Sequence, residues 1–252
     1  MKDNKKAIAD LDKAIELDPK NVAAYGGRGV AKVETGDYEG AITDFSKAIE
    51  LDPKNAYAYA SRGFAKSAIG DYKEAIADLD KAIELDPNHA VAYSTRGFAN
   101  SRIGDYTQAI ADYDMAIELD SNHADDYSYR GMAKNEIKDF MGAIADYNMA
   151  IELDPDHADD YLSRGIAKVE IEDYEEAIVD LDKAIELDPG NAGSYCGRGF
   201  AKSQIGDDRG ALADFNKTIE LDPKNADRYK QLIKAVKEQP DNLWFKLTQF
   251  RL

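Results

Sequence analysis

The strongest constraint on this chain is a period. Leu-Asp-Pro recurs at Pro19, Pro53, Pro87, Pro155, Pro189 and Pro223, every 34 residues except for one gap of 68, where Ser121 holds the missing proline's place. A fixed period between 20 and 50 residues is the signature of stacked supersecondary units, and it overrides any domain count taken from length. The spacing divides the chain into a half unit at 1–21, full units at 22–55, 56–89, 90–123, 124–157, 158–191 and 192–225, a half unit at 226–239, and a departing segment at 240–252.

Within a unit the pattern predicts two helices. In the first, Tyr59, Gly63, Ala65 and Ile69 mark a packed side, and Gly70-Asp71 ends it. In the second, Ala75, Ile76, Leu79, Ala82 and Ile83 fall at offsets 0, 1, 4, 7 and 8, one stripe of an amphipathic helix. Asp86-Pro87 closes it, because the residue before proline is pushed out of the helical region. Asn55, His89, His123, His157, Asn191 and Asn225 stand just ahead of the next helix, at a capping position. The short connections make neighbouring helices antiparallel.

The period, the helix pair, the early aromatic with glycine four residues on, and the Gly-Asp-Tyr, Ala, aromatic-or-Leu, Ala, Pro series together resemble the tetratricopeptide repeat, over nearly all of the chain before Pro240. The resemblance implies an all-α, right-handed superhelical solenoid of antiparallel helix pairs. Two columns depart from the family pattern. Arg28, Arg62, Arg96, Arg130, Arg164 and Arg198 stand where leucine is frequent, and Lys32, Lys66, Lys134, Lys168 and Lys202, with Asn100, replace a frequent aromatic. A guanidinium between helices needs a carboxylate, since unpaired burial is very costly. The equally regular Asp10, Asp44, Asp78, Asp112, Asp146, Asp180 and Asp214 therefore predict a ladder of Arg–Asp pairs.

Each unit solves the same packing problem, so comparing units separates scaffold from free positions. Tyr59, Arg62, Gly63, Ala65 and Lys66 stand in nearly constant columns, whereas those of Tyr57, Ala60, Ser61, Phe64, Ser67 and Ala68 vary. The variable set shares one helix face. Family members line a concave groove with this face and hold peptides or helices of partner proteins there. The groove so predicted is apolar along Val30, Phe64, Phe98, Met132, Ile166 and Phe200. Ala60, Ser94, Ser128 and Cys196 are its small neighbours, while Tyr57, Tyr129 and Leu162 add bulk. Arg102, Glu136 and Glu170 carry charge on it, and the units at 124–157 and 158–191 are acidic. The bulky row either forms pockets for apolar side chains or is partly core, shielded by the stack's curvature.

Composition narrows the partner. A net charge of −17 opposes binding to a nucleic-acid backbone and removes the RNA-binding pentatricopeptide alternative, which needs a basic groove. Most of that charge repeats with the scaffold, as at Asp37, Asp44, Glu50 and Asp52, and reads as a solvated face. Chaperone-tail-binding members clamp a terminal carboxylate with Lys, Asn and Arg; here Gly26, Val30, Ser61, Val91 and Thr95 stand there, so no clamp is expected. Histidines one unit apart lie roughly 10 Å from one another, too far to share a metal. No catalytic grouping or cofactor fingerprint appears, and no apolar run suffices to insert in a membrane. The expected protein is a cytoplasmic, non-catalytic interaction scaffold without cofactors or metal, binding an apolar or amphipathic partner segment, basic at one end. The alternative is a self-assembling module joined head to tail through open, unmatched repeat ends. Asp241, Leu243, Trp244, Leu247 and Phe250 predict a capping helix over 240–252.

Overall fold

A computed structural model describes residues 2–238, which form helices without strands and fall into two compact units divided between Asn122 and His123. The expected capping helix over 240–252 lies outside the described residues. Unit 1 comprises α1 (Lys2–Leu17), α2 (Val22–Glu34), α3 (Tyr38–Leu51), α4 (Ala56–Ala68), α5 (Tyr72–Leu85), α6 (Ala90–Arg102) and α7 (Tyr106–Leu119). Unit 2 comprises α8 (Ala124–Glu136), α9 (Phe140–Leu153), α10 (Ala158–Glu170), α11 (Tyr174–Leu187), α12 (Ala192–Gln204), α13 (Asp208–Leu221) and α14 (Ala226–Glu238).

Each 34-residue copy folds as an antiparallel pair: α2–α3, α4–α5 and α6–α7 in unit 1, and α8–α9, α10–α11 and α12–α13 in unit 2. Helix α1 packs on α2, and α14 on α13. The first helices of adjacent pairs also touch directly, α2 with α4 and α4 with α6, and likewise α8 with α10 and α10 with α12. Each unit therefore curves with its first helices inside.

The pairs close tightly because small residues stand where helices cross. Ala41, Ala75 and Ala109, like Ala143, Ala177 and Ala211, are fully buried. Beside them a single large side chain, such as Leu79 or Tyr147, fills the space over a glycine. A Cβ on Gly63 would come within 2.7 Å of Leu79 Cγ, so this approach admits no side chain without displacement.

The loops follow the same economy of residue types. Asp37, Asp105, Asp139 and Asp207 cap the second helices by accepting the N–H of the residue three along. Gly36, Gly70, Gly104 and Gly206 take positive φ in the turn between paired helices. In unit 2, Lys138 and Glu172 occupy that same turn position with φ of 65°, a left-handed conformation that disfavours side chains.

Capping of the first helices differs from expectation at the histidines. Asn21, Asn55 and Asn191 accept a backbone N–H of the helix they precede. His89, His123 and His157 occupy the same position without such a bond. His157 Nδ1 instead meets Asp160 Oδ2 at 2.9 Å and His123 Nδ1 meets Asp126 Oδ2 at 3.3 Å, each a buried carboxylate in the helix's first turn. Asn225 ends a 3₁₀ turn, Pro223–Asn225, and donates to Asp222.

The arginine ladder is present and is more elaborate than a row of pairs. Arg62 holds Asp78 through Nε at 2.8 Å and Nη2 at 2.6 Å, and Arg28–Asp44, Arg96–Asp112, Arg130–Asp146, Arg164–Asp180 and Arg198–Asp214 repeat the contact. The lysine column converges on the same carboxylates, Lys66 on Asp78 at 2.6 Å and Lys32 on Asp44 at 2.7 Å. Where Asn100 replaces lysine, its amide donates to Asp112 instead. Each guanidinium also stacks over the tyrosine three residues earlier, with Cζ 5.6 Å from the Tyr59 ring centre in the case of Arg62. Its remaining nitrogen reaches back to the preceding pair: Arg28 to Asp12, Arg62 to Ser46, Arg96 to Asp80, Arg164 to Asn148 and Arg198 to Asp182. Asp10 is the exception in its column. It is exposed on α1.

Candidate partner-binding groove

The inner face of unit 1 is built by α2, α4 and α6. The helical period places Val30, Val33 and Glu34 of α2, Tyr57, Ala60 and Phe64 of α4, and Val91 of α6 around one pocket of about 330 Å³. Tyr57, Phe64 and Val91 are large apolar side chains left 56%, 45% and 63% exposed there. The lining is almost wholly apolar, with the Glu34 carboxylate and His89 beside it. Val33 stands in the variable column of Ser67, and three helices bring it into one pocket with Tyr57 and Val91.

Further along α6, Phe98 and Arg102 turn toward the preceding helix pair. Phe98 meets Tyr72 edge-on at 6.4 Å between ring centres, and Arg102 donates to the Tyr72 hydroxyl at 3.2 Å while lying over its ring. Ser94 is half-buried on α6. These three positions belong to the seam between pairs as much as to its surface.

In unit 2 the inner face comprises α8, α10 and α12. Tyr129 and Met132 on α8 are exposed, and Glu136 and Glu170 stand exposed one turn beyond the apolar row. Burial holds the Glu170 carboxyl above the usual carboxylate range, with Lys138 pulling it partly back. Burial and the carboxylates of Asp125, Asp126 and Asp160 likewise push the Tyr129 phenol up. A partially desolvated acidic face of this kind gains from a cation. Leu162 and Ile166 are half-buried and pack toward α12, where a Cβ on Gly197 would sit 2.8 Å from Ile166 Cδ1.

The open face is narrower than the variable columns suggest. Phe200 is only 3% exposed: it lies edge-on to Tyr174 at 6.3 Å and joins the buried cluster containing Leu181, Phe215 and Leu232, so it is core and not groove wall. Ala60, Ser67, Ser128 and Cys196 are buried as well. The cause is packing by the surrounding helices: Phe200 and Cys196 of α12 share a cluster with residues of α11, α13 and α14, and Ala60 of α4 with residues of α5 and α6. Burial also pushes the Cys196 thiol up to about 12, which keeps it protonated and unreactive at neutral pH. Among the described residues there is no cluster of His, Cys, Asp and Glu able to hold a metal ion, and no helix long and apolar enough to cross a membrane.

Models of the tetratricopeptide repeat match residues 1–21, 29–70, 56–89, 79–111 and 167–206. The solved structure of MamA is 30% identical, with 67% of this chain and 92% of MamA aligned at a TM-score of 0.61. This chain belongs to the tetratricopeptide repeat family. YrrB, described as a TPR protein with an unusual peptide-binding site, is 26% identical over 73% of this chain and 95% of its own, at a TM-score of 0.64. PilF of Pseudomonas aeruginosa, 19% identical over 83% of this chain and 96% of its own, shares the fold at a TM-score of 0.72. No curated protein matches significantly. Tetratricopeptide repeat proteins are generally non-catalytic scaffolds for protein interaction, and the repeats here support that general role.

Proposed function

We propose that this tetratricopeptide repeat protein binds a peptide or helix of a partner protein on its inner faces and performs no catalysis. The observation that carries the proposal is the unit 1 pocket, where Tyr57, Phe64 and Val91 keep apolar surface in water around a cavity of about 330 Å³. Packed monomers rarely leave such surface uncovered without use. YrrB, with its peptide-binding site, supports the same reading by similarity. The partner segment is apolar or amphipathic, with an anchor side chain in the unit 1 pocket. A basic stretch suits the separate face of unit 2, where Glu136 and Glu170 stand beside Met132 and Tyr129. Cytoplasmic residence belongs to this reading, since the one cysteine, Cys196, is buried and forms no disulfide framework.

Calorimetric titration with synthetic amphipathic peptides, each with one aromatic anchor and a basic, neutral or acidic flank, tests this. Wild-type protein should prefer the basic-flanked peptide, and Phe64→Ser should weaken all of them about tenfold or more. Binding of a basic amphipathic peptide to the unit 2 face is a separate measurement, which charge reversal of Glu136 and Glu170 should weaken, and less so at high salt. Equal binding by wild type and Phe64→Ser would exclude the pocket.

A further inference from the structure

Building on that reading, we infer that the partner segment in the unit 1 pocket carries an arginine or lysine beside its apolar anchor, and that Glu34 selects it. Glu34 is the exposed last residue of α2, and it borders a pocket lined mainly by Val30, Val33, Tyr57, Phe64 and Val91. A carboxylate in the last turn of a helix opposes the helix dipole, so α2 itself gains nothing from this charge. The walls of the pocket do not compensate it either. Helix α2 has two cationic side chains, Arg28 and Lys32, and Asp44 holds both, with Asp12 taking a further bond from Arg28. Helix α4 has Arg62 and Lys66, both held by Asp78. On α6, Arg96 is divided between Asp80 and Asp112, and Arg102 lies over the Tyr72 ring. Among the described residues of the three wall helices, no cation is left for Glu34.

An apolar cavity beside an uncompensated carboxylate matches a segment that buries one side chain and presents a cation next to it. The apolar surroundings sharpen the match. They keep water from part of the contact, which strengthens the attraction over that of a fully solvated pair. In an extended segment, residues two apart share a face and lie about 7 Å from each other. One side chain can then enter the cavity of about 330 Å³ while the other meets Glu34.

Titration of the full chain with three labelled, end-capped peptides tests this. Each has a central phenylalanine and, two residues to either side, an arginine, a glutamine or a glutamate. Every protein carries Glu136→Gln and Glu170→Gln, so that the acidic face of unit 2 does not contribute. One pH throughout holds the protonation of His89 in the lining constant. This parent should bind the arginine peptide about fivefold tighter than the glutamine peptide at low salt, and the glutamate peptide weakest. Adding Glu34→Gln should make the arginine and glutamine peptides bind alike, and Glu34→Lys should favour the glutamate peptide. Both should keep the parent's circular dichroism and a urea midpoint at least as high, since Glu34 is exposed and opposes its own helix dipole. Adding Phe64→Ser should weaken all three peptides about tenfold or more. An arginine preference that survives Glu34→Gln would overturn the inference. So would a parent without preference whose binding still depends on Phe64, and in both cases the groove reading stands. Binding unaffected by Phe64→Ser would overturn the groove reading and this inference with it. If the parent binds none of the peptides, this inference falls, and the amphipathic peptide panel decides the groove separately.

Discussion

Single residues that break the repeat are the most revealing at the smallest scale. Lys138 and Glu172 hold φ of 65° where the other described turns use glycine. Lys138→Gly and Glu172→Gly should each stabilise the protein by about 1 kcal/mol, seen as a higher urea midpoint with unchanged slope. His157 breaks the capping column and pairs with buried Asp160. Burial disfavours the charged ring, but the hydrogen bond and charge of Asp160, helped by Asp159 and Asp154, outweigh it and raise the pKa. The stabilisation is therefore complete below the ring's unfolded value of 6.5 and is lost as pH climbs through the higher folded value. The stability gap between wild type and His157→Gln, followed by urea melts from pH 5 to 8.5, should narrow toward the alkaline end. A constant gap would show that the pair contributes no charge-dependent stability.

The helix pair is the scale at which the sequence is most transparent, and also where it misleads. Helix limits, the crossing alanines and the Arg–Asp ladder are legible because each repeats in a constant column. The backward reach of each arginine is not, since Asp12, Ser46, Asp80, Asn148 and Asp182 share only the ability to accept a hydrogen bond. The groove is half legible. Offsets place Tyr57 and Phe64 on an exposed face of α4, yet Phe200 and Cys196 on α12 are buried among residues of α11, α13 and α14, which a single helical wheel does not represent. The ladder itself makes an asymmetric prediction. Asp78→Ala strands two cations, Arg62 and Lys66, and should cost about 3 kcal/mol or more. Asp80→Ala removes a half-exposed acceptor of Arg96, which keeps Asp112, and should cost under about 1 kcal/mol. Equal losses in chemical denaturation would contradict this account.

For the whole molecule, stability is carried by contacts between neighbouring helices, so damage should remain local. Hydrogen exchange on Asp78→Ala should show amides of α4 and α5 exchanging faster while those of α11 to α13 keep their protection. The seam makes the reason concrete. Every joint whose backward contact is described sets an arginine against its own pair's aspartate and a hydrogen-bond acceptor of the pair before. Such joints are interchangeable: a copy of 34 residues inserted or removed at any of them meets the same fitting on either side. Gene duplication or loss could therefore alter the length of this protein in whole steps without redesigning a single interface, and length itself becomes something inheritance can tune.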